Sequence, residues 1–204
     1  MVILQCDDQY FKWLILVLES LRAYSNDVSL FISIFNGTAD MKHECLNIYP
    51  TAIVELDLDN SYKLPIDQFS ISECMAVRKG FVLADVCDRF KIDWAMMLDV
   101  DLLCRGSLIS FIDDLMTDNI DFAVIDSNVK SKNDIKRMYN SSVVFVKNNA
   151  FYIAQRWVEL MRGSSVIKGH APMVWFWDQV CLAELVEQVQ SDINIRYLQR
   201  STVL

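Results

Sequence analysis

The most informative stretch of this sequence is WAMMLDVD, residues 94–101, where an apolar run leads directly into Asp99 and Asp101. In a β-strand, side chains two positions apart share a face. If the strand ends near Leu98 in a parallel sheet, both carboxylates face the crevice beyond its carboxyl end, where open α/β sheets bind ligands. Buried carboxylates are costly unless they are paired or bind a metal. The stretch therefore predicts a site for Mg²⁺ or Mn²⁺ holding a diphosphate.

The Asp-x-Asp spacing is not specific by itself, because it also occurs at Asp57 and Asp59. Context distinguishes the two pairs. The pair at 99–101 follows a tight apolar run, and a Gly106-Ser107 turn and a new amphipathic segment come after it. We therefore assign the cation to this pair.

Length and charge narrow the class of protein. With 204 residues, of which 53% are hydrophobic, the chain can bury a full core, and we interpret residues 1–204 as one domain. The net charge of -8 and the pI near 4.7 argue against a protein that binds duplex nucleic acid, which needs a basic surface. A metal would be needed to bring polyphosphate to so acidic a protein.

The six cysteines occur singly in apolar contexts, without a Cys-x-x-Cys pair. This pattern is typical of buried thiols in a reducing compartment and not of a zinc site. The longest apolar run of the first predicted helix, residues 13–18, is too short to span a bilayer, and residues 1–4 lack the basic segment of a signal peptide. We expect a cytoplasmic protein without a transmembrane segment.

Strand-like and helix-like runs alternate along the chain, which predicts an α/β domain of Rossmann-like type, with a mixed, mainly parallel central sheet flanked by helices. Ser70 and Glu73 form a capping box that opens the third helix. The polar segment 127–136 is interpreted as a mobile loop. Predicted strands cover residues 2–6, 28–35, 52–58, 92–98, 120–126, 141–146 and 193–198, and predicted helices cover 10–24, 40–49, 70–89, 108–116, 149–162 and 175–189.

Asp8 and Tyr10 follow the first predicted strand, so their loop faces the same crevice as the acidic pair. Asp8 could accept hydrogen bonds from a nucleobase or ribose, and Tyr10 could stack on the base. The alternative is that Asp7 or Asp8 merely caps the first helix.

Arg78 lies in an otherwise apolar helix that precedes the motif strand. A guanidinium near the acidic pair could hold the carboxylates in place and bind phosphate through two hydrogen bonds. The alternative is a surface arginine with a buried stem.

Two further segments could bind a sugar. Tyr139-Asn140-Ser141-Ser142 places small polar groups before an apolar strand, where they can reach sugar hydroxyls. Residues 175–179, of sequence WFWDQ, set aromatic rings beside Asp178 and Gln179, and a pyranose stacks on such rings while its hydroxyls form hydrogen bonds. The alternative is an aromatic core helix with a capping aspartate. His43 is interpreted as exposed, and His170 as either a surface residue or a group that approaches a metal.

These motifs, in this order, resemble the retaining glycosyltransferases of family eight and their relatives, which have the A-type nucleotide-diphospho-sugar transferase fold. The resemblance rests on residues 6–10, on Arg78, on Asp99 and Asp101 with residues 106–108, and on residues 139–142 followed by Asp178-Gln179. It spans most of the chain.

The resemblance implies that Asp99 and Asp101 bind Mn²⁺, or Mg²⁺, together with the diphosphate of a UDP-sugar. It further implies that Asp8 and Tyr10 bind the uridine end and that Arg78 lies on the phosphate side. The three residues implied at the sugar and its reacting face are Asn140, Asp178 and Gln179. The activity implied is transfer of a hexose, with retention, to an unknown carbohydrate, lipid or protein acceptor. The metal stabilises charge on the departing diphosphate.

The sequence departs from the family pattern at two places. The motif that usually reads Asn-Ala-Gly or Asn-Ser-Gly here reads Asn140-Ser141-Ser142, which narrows the expected pocket. The family also has a histidine near the C-terminus that completes the metal site, whereas no histidine follows His170. Either the chain is shortened at its C-terminus, or His170 or water substitutes, or the protein binds the donor without turning it over.

Two alternatives compete with an active glycosyltransferase. One is a relative that binds nucleotide sugar without catalysis. The other is a haloacid dehalogenase-type phosphatase, in which the first aspartate of such a pair is the nucleophile and the second a general acid. That chemistry needs the motif near the N-terminus and a second acidic pair on a Gly-Asp loop, and the sequence contains no Gly-Asp dipeptide.

Overall fold

A computed structural model describes residues 1–58, 62, 71–130, 137–163 and 177–199. Strands and helices alternate along most of this part of the chain, as the sequence predicts. The strands are β1 (Val2–Asp7), β2 (Leu30–Phe35), β3 (Ile53–Asp57), β4 (Trp94–Leu98), β5 (Phe122–Lys130), β6 (Arg137–Lys147) and β7 (Ile195–Gln199). The helices are α1 (Phe11–Tyr24), α2 (Ala39–Ile48), α3 (Ile71–Arg89), α4 (Leu108–Thr117), α5 (Tyr152–Gly163) and α6 (Trp177–Val189), with a 3-10 turn at Asn148–Ala150.

The strands form a seven-stranded sheet in the order β3-β2-β1-β4-β6-β5-β7. Neighbouring strands run parallel except at β6, which is antiparallel to both β4 and β5. The predicted fold class, a mixed and mainly parallel sheet flanked by helices, is confirmed. Because β6 runs against its neighbours, its first residues lie at the edge where β4 and β5 end.

Helices cover both faces of the sheet, and the alternation of side chains along β1 shows why. Val2, Leu4 and Cys6 pack with buried residues of α1, α2 and α4, whereas Ile3 packs with those of α3, α5 and α6. Each face therefore carries its own apolar core, which drives the burial of the central strands. Among the described residues, no helix combines the length and hydropathy needed to cross a membrane.

Two differences from the predicted elements lie at β5 and β6. The segment predicted as a loop from residue 127 is still strand up to Lys130, because β5 pairs with β6 as far as Lys130 and Arg137. Tyr139 and Asn140, predicted to precede a strand, lie inside β6 and pair with Asp126 and Ile125. The cap predicted at Ser70 lies outside the described residues, as do Asp59, His170, residues 131–136 and residues 175–176.

Arg78 is buried under the sheet, with 1% of its surface exposed. Its Nη2 donates hydrogen bonds to Asp57 Oδ2 at 3.0 Å and to Ser33 Oγ at 2.9 Å, and Nη1 donates to Gln5 Oε1 at 3.4 Å. The guanidinium also stacks 5.1 Å from the ring centre of Tyr62. A buried guanidinium needs this many partners because its desolvation is costly.

Removing this guanidinium tests how far the ion pair holds α3 against the sheet. Arg78→Met removes the guanidinium from the buried Asp57 carboxylate, and we expect a loss of about 3–5 kcal/mol in the free energy of unfolding. Urea denaturation followed by circular dichroism measures it. Arg156→Met is the matched control, because Arg156 pairs with Glu159 on the surface, where 50% of the arginine side chain is exposed; a loss below about 1 kcal/mol is expected there. Equal losses for both variants would contradict a structural role of the buried pair.

Candidate active site

A pocket of about 170 Å³ lies where β1 and β4 end. Three parts of the chain line it: the end of β1 with the start of α1, the first half of α3, and the turn after β4. This is the edge of the sheet at which parallel α/β folds bind ligands. The lining residues include Asp7, Tyr10, Lys79, Asp99 and Asp101.

Asp99 and Asp101 lie together at this pocket, as the stretch that ends in them predicts. The backbone N–H of Asp99 donates to the carbonyl of Ser142 at 2.9 Å, which continues the contact between β4 and β6 beyond the last paired residue. A turn follows, in which Leu102 N–H donates to Asp99 O at 3.3 Å. Asp101 is exposed, whereas the side chain of Asp99 is 24% exposed. The backbone thus fixes Asp99 and leaves Asp101 open to solvent and ligand.

Lys79 is the cation that contacts the acidic pair, and no motif of the sequence pointed to it. Its Nζ lies 2.6 Å from Asp99 Oδ1 and donates to Ser141 Oγ at 3.4 Å. The expected residue, Arg78, points to Asp57 instead. Consecutive helical residues are turned by about 100° around the axis, so α3 can send Arg78 to the sheet and Lys79 to the pocket. The prediction that Arg78 holds Asp99 and Asp101 is therefore wrong for this structure.

Asp178 lies in the first turn of α6 and is buried, with 1% of its surface exposed. Its Oδ2 accepts a hydrogen bond from the hydroxyl of Ser141. Its Oδ1 is also buried and makes no hydrogen bond to the part of the chain that the structure describes. The indole N–H of Trp157 donates to the Asp178 carbonyl at 3.1 Å and anchors the start of the helix to α5. Gln179, next to it, is half-buried.

Burial sets the electrostatics of this cluster. Desolvation raises the pKa of Asp99 and of Asp178, although Lys79 acts in the opposite direction on both. Desolvation lowers the pKa of Lys79, but the attraction of Asp99 and Asp178 outweighs it and the net pKa is raised. The ammonium therefore stays charged, while the carboxylates gain less from it than they lose through burial.

The loop after β1 divides its roles differently from the prediction. Asp7 is buried, and its Oδ1 accepts a hydrogen bond from the N–H of Tyr10 at 3.0 Å. This bond closes the loop before α1 and does not cap the helix, because α1 begins at Phe11 and its N-cap residue, Tyr10, makes no side-chain capping hydrogen bond. Asp8 is exposed and does not line the pocket as far as the described residues define it, whereas Tyr10 lines it and is 42% exposed. Tyr10 is thus free to stack on a planar ligand.

Asn140 lies close to these groups along β6, but its side chain is committed locally. Its Oδ1 accepts hydrogen bonds from the N–H of Ser142 at 2.7 Å and from the Ser142 hydroxyl. The amide nitrogen remains as the group that it can offer to a ligand.

The donor set suits a hard divalent cation bound jointly with a phosphate ligand. Within the described residues, no three histidine, cysteine or acidic side chains come together as a complete metal site. Magnesium sites commonly use one or two carboxylates and take their other ligands from water and substrate phosphates. Asp99 and Asp101 fit that pattern, and both line the pocket.

Comparison with known proteins places the fold among glycosyltransferases. No protein-family model matches the sequence, and no curated protein matches it significantly. Solved structures do match. The glycosyltransferase GlyE of Streptococcus pneumoniae TIGR4 aligns over 96% of this chain with a TM-score of 0.62 at 15% identity. The alignment covers 44% of GlyE, so the chain spans less than half the length of that protein.

Other similar structures are also glycosyltransferases. The galactosyltransferase LgtC, solved with donor and acceptor sugar analogues, aligns over 95% of this chain and 66% of its own, with a TM-score of 0.52 at 15% identity. Mouse xyloside xylosyltransferase 1 aligns over 97% of this chain and 84% of its own, with a TM-score of 0.58 at 10% identity. The chain therefore has the α/β fold of A-type glycosyltransferases. The phosphatase alternative finds no support in this similarity.

The raised pKa of Asp178 predicts a stability that depends on pH. An aspartate in an unfolded chain has a pKa of about 3.9. Because the folded pKa is higher, folding is favoured while the carboxyl group is protonated, and stability is lost as the pH rises above the unfolded value. Asp178→Asn removes the buried charge. We expect its melting temperature to exceed that of the wild type at pH 7, and the difference to shrink toward pH 4.

Differential scanning calorimetry across this pH range measures the effect. Asp113→Asn, at an exposed position of α4, controls for the general effect of removing one negative charge from an acidic protein. A lower melting temperature for Asp178→Asn than for the wild type at pH 7 would show that the carboxylate gains more from Lys79 than it loses through burial.

Proposed function

We propose that this protein is a cation-dependent glycosyltransferase that transfers a hexose from a UDP-sugar to an acceptor. The observation that carries the proposal is the acidic pocket at the carboxyl edge of the sheet, in a fold shared with glycosyltransferases. The resemblance to family eight further implies retention at the anomeric carbon. The acceptor is a carbohydrate, a lipid or a protein. The five buried cysteine side chains fit a reducing compartment such as the cytoplasm.

Charge balance supports the need for a cation. Asp7, Asp99 and Asp101 line the pocket, and Asp178 is linked to it through Ser141 and Lys79. Lys79 is the ammonium that faces them among the described residues. A nucleoside diphosphate would meet a net negative field there and would be repelled. A divalent ion on Asp99 and Asp101 reverses this, and when bound it supplies the positive charge that stabilises a departing diphosphate.

Different residues are proposed to contact different parts of the UDP-sugar donor. Tyr10, exposed at the rim, offers its ring to the uracil base. Lys79 presents its ammonium beside Asp99, where the diphosphate is expected. Asp178, whose Oδ1 makes no hydrogen bond to the described residues, is proposed to accept a hydrogen bond from a hydroxyl of the sugar. Gln179 and the side-chain amide nitrogen of Asn140 are proposed to contact the reacting face of the sugar.

Release of UDP from UDP-hexoses in the presence of Mn²⁺ tests the activity directly. Purified protein is incubated with UDP-glucose or UDP-galactose, with and without Mn²⁺, and UDP is measured over time. Metal-dependent release supports an active transferase. Binding of UDP that requires Mn²⁺, without release in the presence of candidate acceptors, would identify the non-catalytic relative instead. No binding of UDP with either Mn²⁺ or Mg²⁺ would overturn the proposal.

Asp101 allows a sharper test of the cation. Because Asp101 is exposed, Asp101→Ala removes a proposed ligand at little cost to the fold. We expect it to abolish the Mn²⁺-dependent part of UDP affinity and not to weaken binding without Mn²⁺, because it removes a negative charge from the pocket. Isothermal titration calorimetry measures both. Asp114→Ala, at an exposed position of α4, is the matched control. Undiminished affinity of Asp101→Ala for UDP with Mn²⁺ would contradict the metal assignment.

A further inference from the structure

A row of four polar side chains runs from the pocket, where Asp99 and Lys79 line it, to the buried side chains of Ser141 and Asp178. Asp99 pairs with Lys79 at 2.6 Å, Lys79 donates to Ser141 Oγ at 3.4 Å, and Ser141 in turn donates to Asp178. The row runs from the turn after β4, through α3 and β6, to the first turn of α6. Its two ends are the proposed diphosphate side and the proposed sugar side.

Ser141 lies in the middle of this row, between Lys79 and Asp178. It is buried in β6, with 1% of its surface exposed. A hydroxyl carries one proton and can also accept hydrogen bonds. The proton of Ser141 goes to Asp178 Oδ2, and its oxygen accepts from Lys79. The direction of both hydrogen bonds is therefore fixed, because an ammonium can only donate and an ionised carboxylate can only accept.

This arrangement divides the two oxygens of Asp178. Oδ2 is held by Ser141, whereas Oδ1 is buried and makes no hydrogen bond within the described part of the chain. A buried acceptor without a partner is costly, and such groups occur where a ligand completes them. Without the Ser141 hydroxyl, no side chain among the described residues would donate to the carboxylate, and the backbone N–H of Gln179 would be left to hold it.

We infer that Ser141 is a positioning residue, which holds Asp178 so that Oδ1 is presented to a hydroxyl group of the donor sugar. This inference rests on the proposed function. Ser141 contributes to recognition of the sugar through Asp178 and contributes little to binding of the nucleotide. Sites built around a buried hydrogen bond to a substrate hydroxyl discriminate strongly, because the protein group is otherwise left without a partner.

The test compares the affinities for nucleotide and nucleotide sugar in the same protein. UDP, UDP-glucose and UDP-galactose are titrated separately into wild type, Ser141→Ala and Ser141→Thr with Mn²⁺ present. The measured quantity is the ratio of the Kd for each UDP-hexose to the Kd for UDP. Ser110→Ala is the matched control, because it removes an exposed hydroxyl from α4.

We expect Ser141→Ala to raise the ratio roughly tenfold or more for a UDP-hexose that the wild type binds, since a hydrogen bond to a charged group is at stake. Its Kd for UDP stays near that of the wild type. Ser141→Thr keeps the hydroxyl and restores the ratio. If alanine prevents folding, as judged by circular dichroism, Ser141→Cys replaces it, because a thiol is a weak donor of nearly the same size.

The outcomes separate this inference from the proposed function. A wild-type protein that does not bind UDP with Mn²⁺ overturns the proposed function. A wild type that binds UDP and UDP-hexoses, with an unchanged ratio in Ser141→Ala, overturns the role of Ser141 alone. Equal losses of affinity for UDP and UDP-hexose would show that Ser141 is merely structural, which also overturns it.

Discussion

The ammonium of Lys79 is the group on which the site depends. It lies 2.6 Å from Asp99 and reaches Asp178 through the hydroxyl of Ser141. Two carboxylates that burial disfavours are thereby kept close to each other, beside a third at Asp101 that faces solvent. Repulsion between such groups is strong in a partly desolvated pocket. The ammonium of Lys79, on α3, reduces the repulsion among these carboxylates, although it does not neutralise their total charge.

The strand order explains how distant parts of the sequence reach this cation. β6 lies between β4 and β5 and runs antiparallel to both, so its early residues stand beside the end of β4. The carbonyl of Ser142 accepts a hydrogen bond from the N–H of Asp99. The hydroxyl of Ser141 donates to Asp178 and accepts from Lys79. In an all-parallel sheet, the beginning of each strand would lie at the opposite edge. The reversed strand thus brings Ser141 and Ser142 next to Lys79 and Asp99, which line the pocket.

Much of the fold could be predicted from the sequence, because alternating apolar runs and amphipathic helices follow from the burial of the sheet on both faces. The position of Asp99 and Asp101 could also be predicted, since an apolar strand leads directly into them. The choice between Arg78 and Lys79 could not. Both are basic neighbours on one helix, and their directions depend on how α3 rotates against β1 and β3, with Gln5 and Asp57 as the partners of Arg78. That rotation is a tertiary property, and so is the contact between Ser141 and Asp178, which are 37 positions apart.

Arg78 and Lys79 give α3 two attachments of different kind at adjacent positions. The guanidinium is locked beneath the sheet by Asp57, Ser33 and Gln5, so sliding or turning the helix would break several buried hydrogen bonds at once. The backbone of Lys79 is therefore held in place, and a bound ligand can move the ammonium only by rotating the Lys79 side chain. Such preorganisation lowers the reorganisation that binding requires. Ligands of different shape must then be accommodated by other parts of the pocket, chiefly the open loop between β1 and α1, where Tyr10 is exposed.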